Sequence, residues 1–116
     1  MKVVVIMTDG DFNTAYYNGV QSQNYSIASS SARANNNANN GSPYTQAEAL
    51  CANMKAPGKD VIVYTVGLGL DTQAAIDLMN QCATSPSHVY LPADGSELQD
   101  AFNDIAQKIS KLRLTK

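Results

Sequence analysis

The sequence predicts a three-layer α/β fold, in which helices cover both faces of a parallel sheet. The first observation is a set of short apolar runs rich in β-branched residues, which is typical of strands buried on both faces. The second is that amphipathic helical patterns alternate with these runs in the order β-α-β-α-β-α. Such alternation produces parallel strands joined by crossover helices. A chain of 116 residues suffices for one small domain, so residues 1–116 are expected to form a single unit.

Three segments are predicted as strands. The first, residues 3–8, opens with a continuous apolar run, and the second, residues 61–67, is a similar run. The third, residues 88–91, is shorter and stops before Pro92, which lacks the N–H group that a sheet ladder requires. We expect the three strands to lie side by side in the order in which they occur along the chain.

The first predicted helix lies between the first two strands. Its apolar residues recur at i, i+3, i+4 and i+7, which places them on one helix face. They are Ala47, Leu50, Cys51 and Met54. Two starts are open, because Pro43 suits a first helical turn and Thr45 with Glu48 has the spacing of a capping box. Pro57-Gly58 predicts the end of the helix.

Two further helices follow the second and third strands. The second opens at Asp71 or Thr72, and four apolar residues share one face: Ala75, Leu78, Met79 and Cys82. The third begins near Asp94, which has capping-box spacing with Glu97. Its apolar stripe is the longest in the chain: Leu98, Ala101, Phe102, Ile105, Ile109 and Leu112.

A polar segment at residues 21–42 interrupts the alternation. It consists almost entirely of Asn, Ser, Gln, Ala and Gly. Such a composition cannot bury enough apolar surface to offset the entropy lost on ordering. Long loops of this kind are either functional or disordered, and we expect a disordered loop inserted after the first strand.

The charge balance excludes two classes of partner. Eight Lys and Arg residues against ten Asp and Glu residues give a net charge of −2. Nucleic acids and membrane surfaces are polyanionic and require a basic patch, so neither is an expected partner. The one dense basic stretch, residues 108–116, is interpreted as a solvated tail. No apolar run approaches the roughly 20 residues of a membrane span, and no targeting segment is expected in this chain.

The end of the first strand carries a resemblance to a known family. Thr8-Asp9-Gly10-Asp11 is similar to the sequence that ends the fourth strand of von Willebrand factor A domains, which have a Rossmann-like fold. More narrowly, five segments resemble the C-terminal region of the TadG-like proteins of Tad pilus assembly. These are residues 8–14 (TDGDFNT), 50–55 (LCANMK), 64–67 (YTVG), 81–83 (QCA) and 112–116 (LRLTK). The resemblance covers nearly the whole chain apart from the polar segment.

The resemblance implies a binding module and not an enzyme. It would mediate adhesion or protein–protein contacts in pilus assembly at the bacterial envelope, with pilus or envelope proteins as partners. The location implied is the periplasm or cell surface, as part of a longer membrane-anchored protein. The resemblance also implies that about half of the family's sheet would precede Met1, so the chain would form a partial von Willebrand A domain.

Asp9 is the one residue that matches the family's metal site. That site also needs an Asp-x-Ser-x-Ser sequence and a Thr from two other loops, and no Asp-x-Ser-x-Ser occurs here. Divalent cations such as Mg²⁺ require about six oxygen ligands. We therefore expect no cofactor in this chain, with Mg²⁺ or Mn²⁺ binding only in an intact parent domain. The competing interpretation is that Asp9-Gly10-Asp11 is turn chemistry.

The two cysteines, Cys51 and Cys82, fall on the apolar faces of two predicted helices. Buried cysteines in such positions often serve as small apolar side chains. The count of two, together with the resemblance to proteins that work outside the cytoplasm, favours a disulfide. Both interpretations are kept, and the disulfide is the expectation that a structure can test.

The alternative function is a small α/β hydrolase or nucleotide-binding enzyme. Val66-Gly67-Leu68-Gly69 lacks the third glycine of a dinucleotide fingerprint and the Lys-Ser/Thr of a phosphate loop. His88 has Ser85 and Ser87 nearby, but these lie in a Ser-Pro-Ser turn, so His88 is interpreted as structural. Neither feature supports catalysis at the sequence level.

The first strand is also expected to mediate self-association. Residues 3–7 contain no proline or charge that would block pairing at a sheet edge. If the neighbouring strand of the family fold is missing, a two-fold homodimer through this strand would pair its free edge.

Overall fold

The computed structural model describes residues 1–10, 16–17, 20–21 and 43–115. The strands are β1 (Lys2–Thr8), β2 (Tyr16–Tyr17), β3 (Val20–Gln21), β4 (Val61–Gly67) and β5 (Val89–Tyr90). The helices are α1 (Pro43–Met54), α2 (Gln73–Cys82) and α3 (Gly95–Thr115), with a short 3-10 helix at Pro86–His88. Apart from Gln21, the predicted loop at residues 21–42 lies outside the described residues, and so does Asp11.

The main sheet has the order β1-β4-β5 and is parallel throughout. Its register pairs Lys2 with Val61 at one end of β1 and Thr8 with Gly67 at the other. The predicted α/β class and strand order are therefore confirmed. The small antiparallel pair β2–β3 was not predicted, although Asn18-Gly19 between its strands is a strong hairpin signal in the sequence.

Side chains of the central strand β4 alternate between two helical layers. Thr65 donates its hydroxyl hydrogen bond to the Met79 carbonyl of α2, at 2.9 Å, so Val63 and Thr65 face α2. Tyr64 and Val66 point the other way and pack with Ile105 of α3. Residues 63–66 are almost completely buried, because helices cover both faces of the sheet here.

The first layer is formed by α1 and α2. The buried cluster between these helices and the sheet contains Cys51, Leu78, Met79 and Cys82. Leu50 was predicted on the same face, but it is 62% exposed, so that assignment was wrong. The face of α1 that packs on this core passes through Tyr44, Ala47 and Met54. Leu50 lies roughly 80° around the helix axis from the centre of that face. Of the two open starts, the structure has the one at Pro43.

The second layer is α3. Leu98 and Ile109 pack against the core formed by Tyr64, Val66 and Ile105. The predicted capping pair begins this helix, because Asp94 Oδ1 accepts the Glu97 N–H at 3.0 Å. Glu97 in turn accepts the Ala93 N–H at 2.6 Å. Phe102 was predicted in the buried stripe of this helix, but its side chain is 41% exposed. It lies at the flank of the buried face, so that assignment was wrong.

The connection after α2 limits the length of β5. The Thr84 N–H donates to the Val63 carbonyl at 2.9 Å, and the Val63 N–H donates to the Thr84 hydroxyl at 2.7 Å. Thr84 therefore takes the pairing position beside the middle of β4, and β5 pairs only with Thr65 and Val66. His88, predicted as the first residue of this strand, belongs to the 3-10 helix instead. Among the described helices, none has the length and apolarity of a membrane span.

Candidate functional site

The carboxyl end of the sheet holds the residues that resemble a metal site. Thr8 ends β1, and its hydroxyl donates to the Gly10 carbonyl at 3.0 Å and accepts the Gly10 N–H at 3.3 Å. Asp9 follows and is exposed. The Thr8 carbonyl accepts a hydrogen bond from the Leu68 N–H at 2.9 Å. The local geometry is thus a turn in which the Thr8 hydroxyl is hydrogen-bonded to the backbone of Gly10.

The described residues of this turn, Thr8, Asp9 and Gly10, do not by themselves fit a divalent cation. Mg²⁺ needs about six oxygens in octahedral arrangement. Over residues 1–10 and 43–115, no group of three His, Cys, Asp or Glu side chains comes together. The Thr8 hydroxyl is already hydrogen-bonded to the Gly10 carbonyl. The role of Asp9 as a ligand in an intact parent domain stays a prediction.

The glycine-rich end of β4 has a packing role. A Cβ atom on Gly67 would lie 2.4 Å from Leu70 Cδ1 and 3.2 Å from Leu91 Cδ2. A side chain at this position would have to displace Leu70, because Leu70 and Leu91 close over the strand end. Gly69, at a φ of 60°, then turns the chain so that its N–H donates to the Pro92 carbonyl at 2.8 Å. The structure accounts for both glycines without a phosphate.

An apolar shelf lies at the β1 edge of the sheet. Val3 packs into the core beneath α3, and Val5 and Met7 share its face because strand side chains alternate. Val5 is 40% exposed and Met7 is 47% exposed. Phe102 lies roughly 160° around α3 from Asp104, the residue that bonds to β5, and so faces the β1 side. We call Val5, Met7 and Phe102 the β1 shelf.

The backbone of β1 adds a second feature to this shelf. In the described part of the chain, β4 is the only strand that pairs with β1, so β1 is an edge strand. Edge strands offer N–H and C=O groups to an incoming strand. No proline or charge interrupts residues 3–7. The edge therefore combines directional hydrogen-bonding groups with uncovered apolar side chains.

A disulfide joins α1 to α2. The Cys51 and Cys82 sulfurs are bonded at 2.03 Å, with Cα atoms 5.0 Å apart. This confirms the predicted bond. Lys55 reinforces the same junction, because its ammonium donates to the Ala83 carbonyl at 3.0 Å and also to the Gln81 carbonyl.

A polar network at the other sheet edge was missed by sequence reasoning. Lys108 of α3 donates to the Tyr90 hydroxyl at 2.8 Å and to the Ser87 carbonyl at 2.7 Å. Tyr90 donates to Asp104, which also pairs with Lys108 at 3.3 Å. The only available signal was the i, i+4 spacing of Asp104 and Lys108, which predicts a helix pair but no partner on β5.

His88 lies next to this network. Its Nδ1 is hydrogen-bonded to the Ser85 hydroxyl, and its ring lies 4.6 Å from the Tyr64 ring between centroids. Burial lowers the pKa of His88, and the positive charge of Lys108 lowers it further. The imidazole is therefore held in its neutral form, which agrees with a packed, hydrogen-bonded residue.

The charges of the network stabilise each other. The hydrogen bond with Tyr90 raises the pKa of Lys108. The hydrogen bond from Tyr90, followed by that from Lys108, lowers the pKa of Asp104. Burial raises the pKa of Tyr90, and its bond to Asp104 adds to this rise. Near neutral pH the network therefore holds a lysine cation and an aspartate anion joined through a neutral phenol.

The chain matches no protein-family model, no curated protein and no solved structure. The structure establishes a small α/β domain with a three-stranded parallel sheet and one disulfide.

Proposed function

We propose that this protein is a non-enzymatic protein–protein interaction module that binds through the β1 shelf. The single observation that carries the proposal is the exposure of Val5 and Met7, at 40% and 47%, on an edge strand. An incoming strand would gain main-chain hydrogen bonds from β1 and would cover apolar side chains on the same face. Both contributions favour a protein partner over a small ligand.

A second copy of the chain is the partner that this edge suits best. Two β1 strands related by a two-fold axis run antiparallel, and an axis near Val5 places Val3 opposite Met7 of the second copy. The same arrangement brings Lys2, at the start of one strand, near Asp9, just beyond the end of the other. The joined sheet would contain six strands, three from each copy, with its single antiparallel pair at the centre.

We also propose that the module works in pilus assembly at the bacterial envelope, as part of a von Willebrand A-like, TadG-like protein. The support is the turn Thr8-Asp9-Gly10 at the end of a parallel strand and the matching element order. The Cys51–Cys82 disulfide adds to it, because such bonds persist in oxidising compartments outside the cytoplasm. In an intact parent domain, that domain's own strands would occupy the β1 edge, so the homodimer is proposed for the chain of residues 1–116 by itself and not for such a parent.

Light scattering on the purified chain over a wide concentration range tests the proposed dimer. We expect a dimer that dissociates in Val5→Lys, because two charges would face each other at the axis. Leu50→Lys is the matched control: it makes the same kind of change at a residue that is 62% exposed on α1, and it should leave the dimer intact. A monomer mass throughout, with slow amide exchange in residues 3–7, would refute the homodimer.

One observation favours the alternative of a hydrolase. Ser85 is hydrogen-bonded to His88, which is the pairing of a nucleophile with a general base. The dyad is incomplete as a catalyst, because Ser87 also approaches His88 Nδ1, at 3.4 Å, and Asp104 binds Tyr90 and Lys108 instead of orienting His88. Ester hydrolysis that disappears in Ser85→Ala and persists in Ser87→Ala would favour this alternative over the interaction module.

A further inference from the structure

The β5 edge of the main sheet borders a groove of about 380 Å³, which lies between β5 and the first three turns of α3. Among the described residues, β5 pairs only with β4, so none of their strands lies along its outer edge. Two lining residues, Pro92 and Ala101, are buried, and the surface that a ligand could cover comes from the others. The groove shares no residue with the β1 shelf, so its role is independent of the proposed homodimer.

One side of the groove is apolar. Val89 packs against the core beneath α1 and α2. Leu91 lies on the same face of the sheet, because its Cδ2 would be 3.2 Å from a Cβ atom on Gly67, which alternates with Val66 along β4. The Leu91 side chain is 45% exposed. The α2 side of this edge therefore presents an apolar side chain to solvent.

The other side of the groove is formed by acidic residues of α3. Glu97, Asp100 and Asp104 occupy positions i, i+3 and i+7, which places them on one face of the helix. Asp104 adds little to the charge of the groove, because it pairs with Lys108 at 3.3 Å and accepts the Tyr90 hydroxyl. The charge of the α3 side therefore comes mainly from the other two carboxylates.

Glu97 and Asp100 keep their negative charges. Glu97 accepts the Ala93 N–H through one carboxylate oxygen, at 2.6 Å, and its other oxygen has no partner among the described residues. The Asp100 carboxylate is exposed and is bonded to no described side chain. None of the described residues that line the groove is basic. A partner that complements this side must supply positive charge.

We propose that the groove binds an extended segment of a partner protein in which basic and apolar residues alternate. The segment would pair its backbone with the edge of β5. Because side chains of a strand alternate between faces, its lysines or arginines would lie beside Glu97 and Asp100 while its apolar residues covered Val89 and Leu91. Exposed carboxylates alone hold a cation weakly in water. The main-chain hydrogen bonds and the apolar contact therefore favour a strand over a free amine.

Titration with the peptide acetyl-Val-Lys-Val-Lys-Val-amide, followed by amide chemical shifts, tests the proposal. We expect saturable shifts at residues 89–91 and 97–104. Acetyl-Val-Gln-Val-Gln-Val-amide lacks both charges and should bind roughly four- to 25-fold more weakly, at about two- to fivefold for each exposed charge pair. Acetyl-Lys-Lys-Val-Val-Val-amide has the same composition without the alternation, and it should also bind more weakly.

A substitution in the groove tests the acidic side directly. Asp100→Asn should weaken binding of the alternating lysine peptide roughly two- to fivefold, because one exposed charge pair is lost. Asp77→Asn is the matched control, since it makes the same change at an exposed aspartate of α2 outside the groove. Thermal unfolding of both variants establishes that they are folded before the comparison.

Three outcomes would overturn the proposal. Equal affinity for the lysine and glutamine peptides, or in Asp100→Asn and Asp77→Asn, would exclude recognition by charge. Equal affinity for the alternating and rearranged lysine peptides would exclude an added strand. Shifts confined to residues 2–8 would place the peptide on β1 and not in the groove. Because light scattering tests the homodimer separately, the two proposals can fail independently.

Discussion

Reduction of the Cys51–Cys82 disulfide should remove a large part of the stability of the folded chain. The bond joins residues 31 positions apart in sequence. By restricting the unfolded chain, a loop of this length contributes about 3.7 kcal/mol at 25 °C in the chain-entropy model. Small domains have a total unfolding free energy of about 5–15 kcal/mol, so the loss is a substantial fraction.

Urea unfolding of the oxidised and reduced chain measures this contribution. With a slope of about 1–3 kcal/mol per molar urea, the midpoint should fall by roughly 1–4 M on reduction. Cys51→Ala/Cys82→Ala is the control, because its midpoint should not respond to the reductant. A thiol assay in denaturant completes the test, since the oxidised chain should contain no reactive thiol.

A small effect of reduction would refute this reasoning. If the wild-type midpoint falls by the equivalent of less than about 1 kcal/mol, the bond does not restrain the unfolded chain as the loop length requires. Two reactive thiols in the untreated chain would refute the disulfide itself.

Three other perturbations test the packing of β4 and its neighbours. Gly67→Ala should destabilise the fold by about 1–3 kcal/mol in urea unfolding, because the new methyl group would displace Leu70; unchanged stability would contradict the packing role of this glycine. Thr65→Val should lower the free energy of unfolding by about 1 kcal/mol, because it removes the buried hydrogen bond to the Met79 carbonyl, which still accepts the Ala83 N–H. A loss above about 3 kcal/mol would show that more than this one bond is lost. Burial lowers the pKa of His88 below its ordinary 6.5, so the stability it contributes is present above pH 6.5 and is lost as the pH falls from 6.5 through the lowered pKa of the folded state. The midpoint should therefore fall between pH 7.5 and 5.5, by a smaller amount in His88→Gln, and an equal fall in both proteins would exclude His88 as the cause.

The fold was largely predictable because its strongest signals are local. The continuous apolar run at residues 61–67 coincides with β4, and the predicted face of α2 is buried as expected. Leu50 and Phe102 were placed wrongly because periodicity gives the direction of a helix face but not its width. How far a helix turns toward its neighbours depends on contacts between distant segments, such as those that direct Cys51 toward Cys82.

The candidate sites were less predictable, for a similar reason. The β1 edge could be expected from strand order and from the uninterrupted apolar sequence of residues 3–7. The exposure of Met7 depends on which strands α3 covers, and this is a tertiary property. The network of Tyr90, Asp104 and Lys108 joins a strand to a helix 14 and 18 residues further on, and no local pattern connects them.

The position of the disulfide has a mechanical consequence. Cys51 and Cys82 lie on either side of β4 in sequence, so the covalent ring that they close contains the central strand of the sheet. Tension applied to the two ends of the chain would pass through the sulfur–sulfur bond and bypass the ring. Roughly 100 Å of contour length is thereby withheld from extension, at about 3.4 Å per residue. Under load, β1 and β5 could be pulled away while β4 and α2, which lie between the two cysteines, carried no tension.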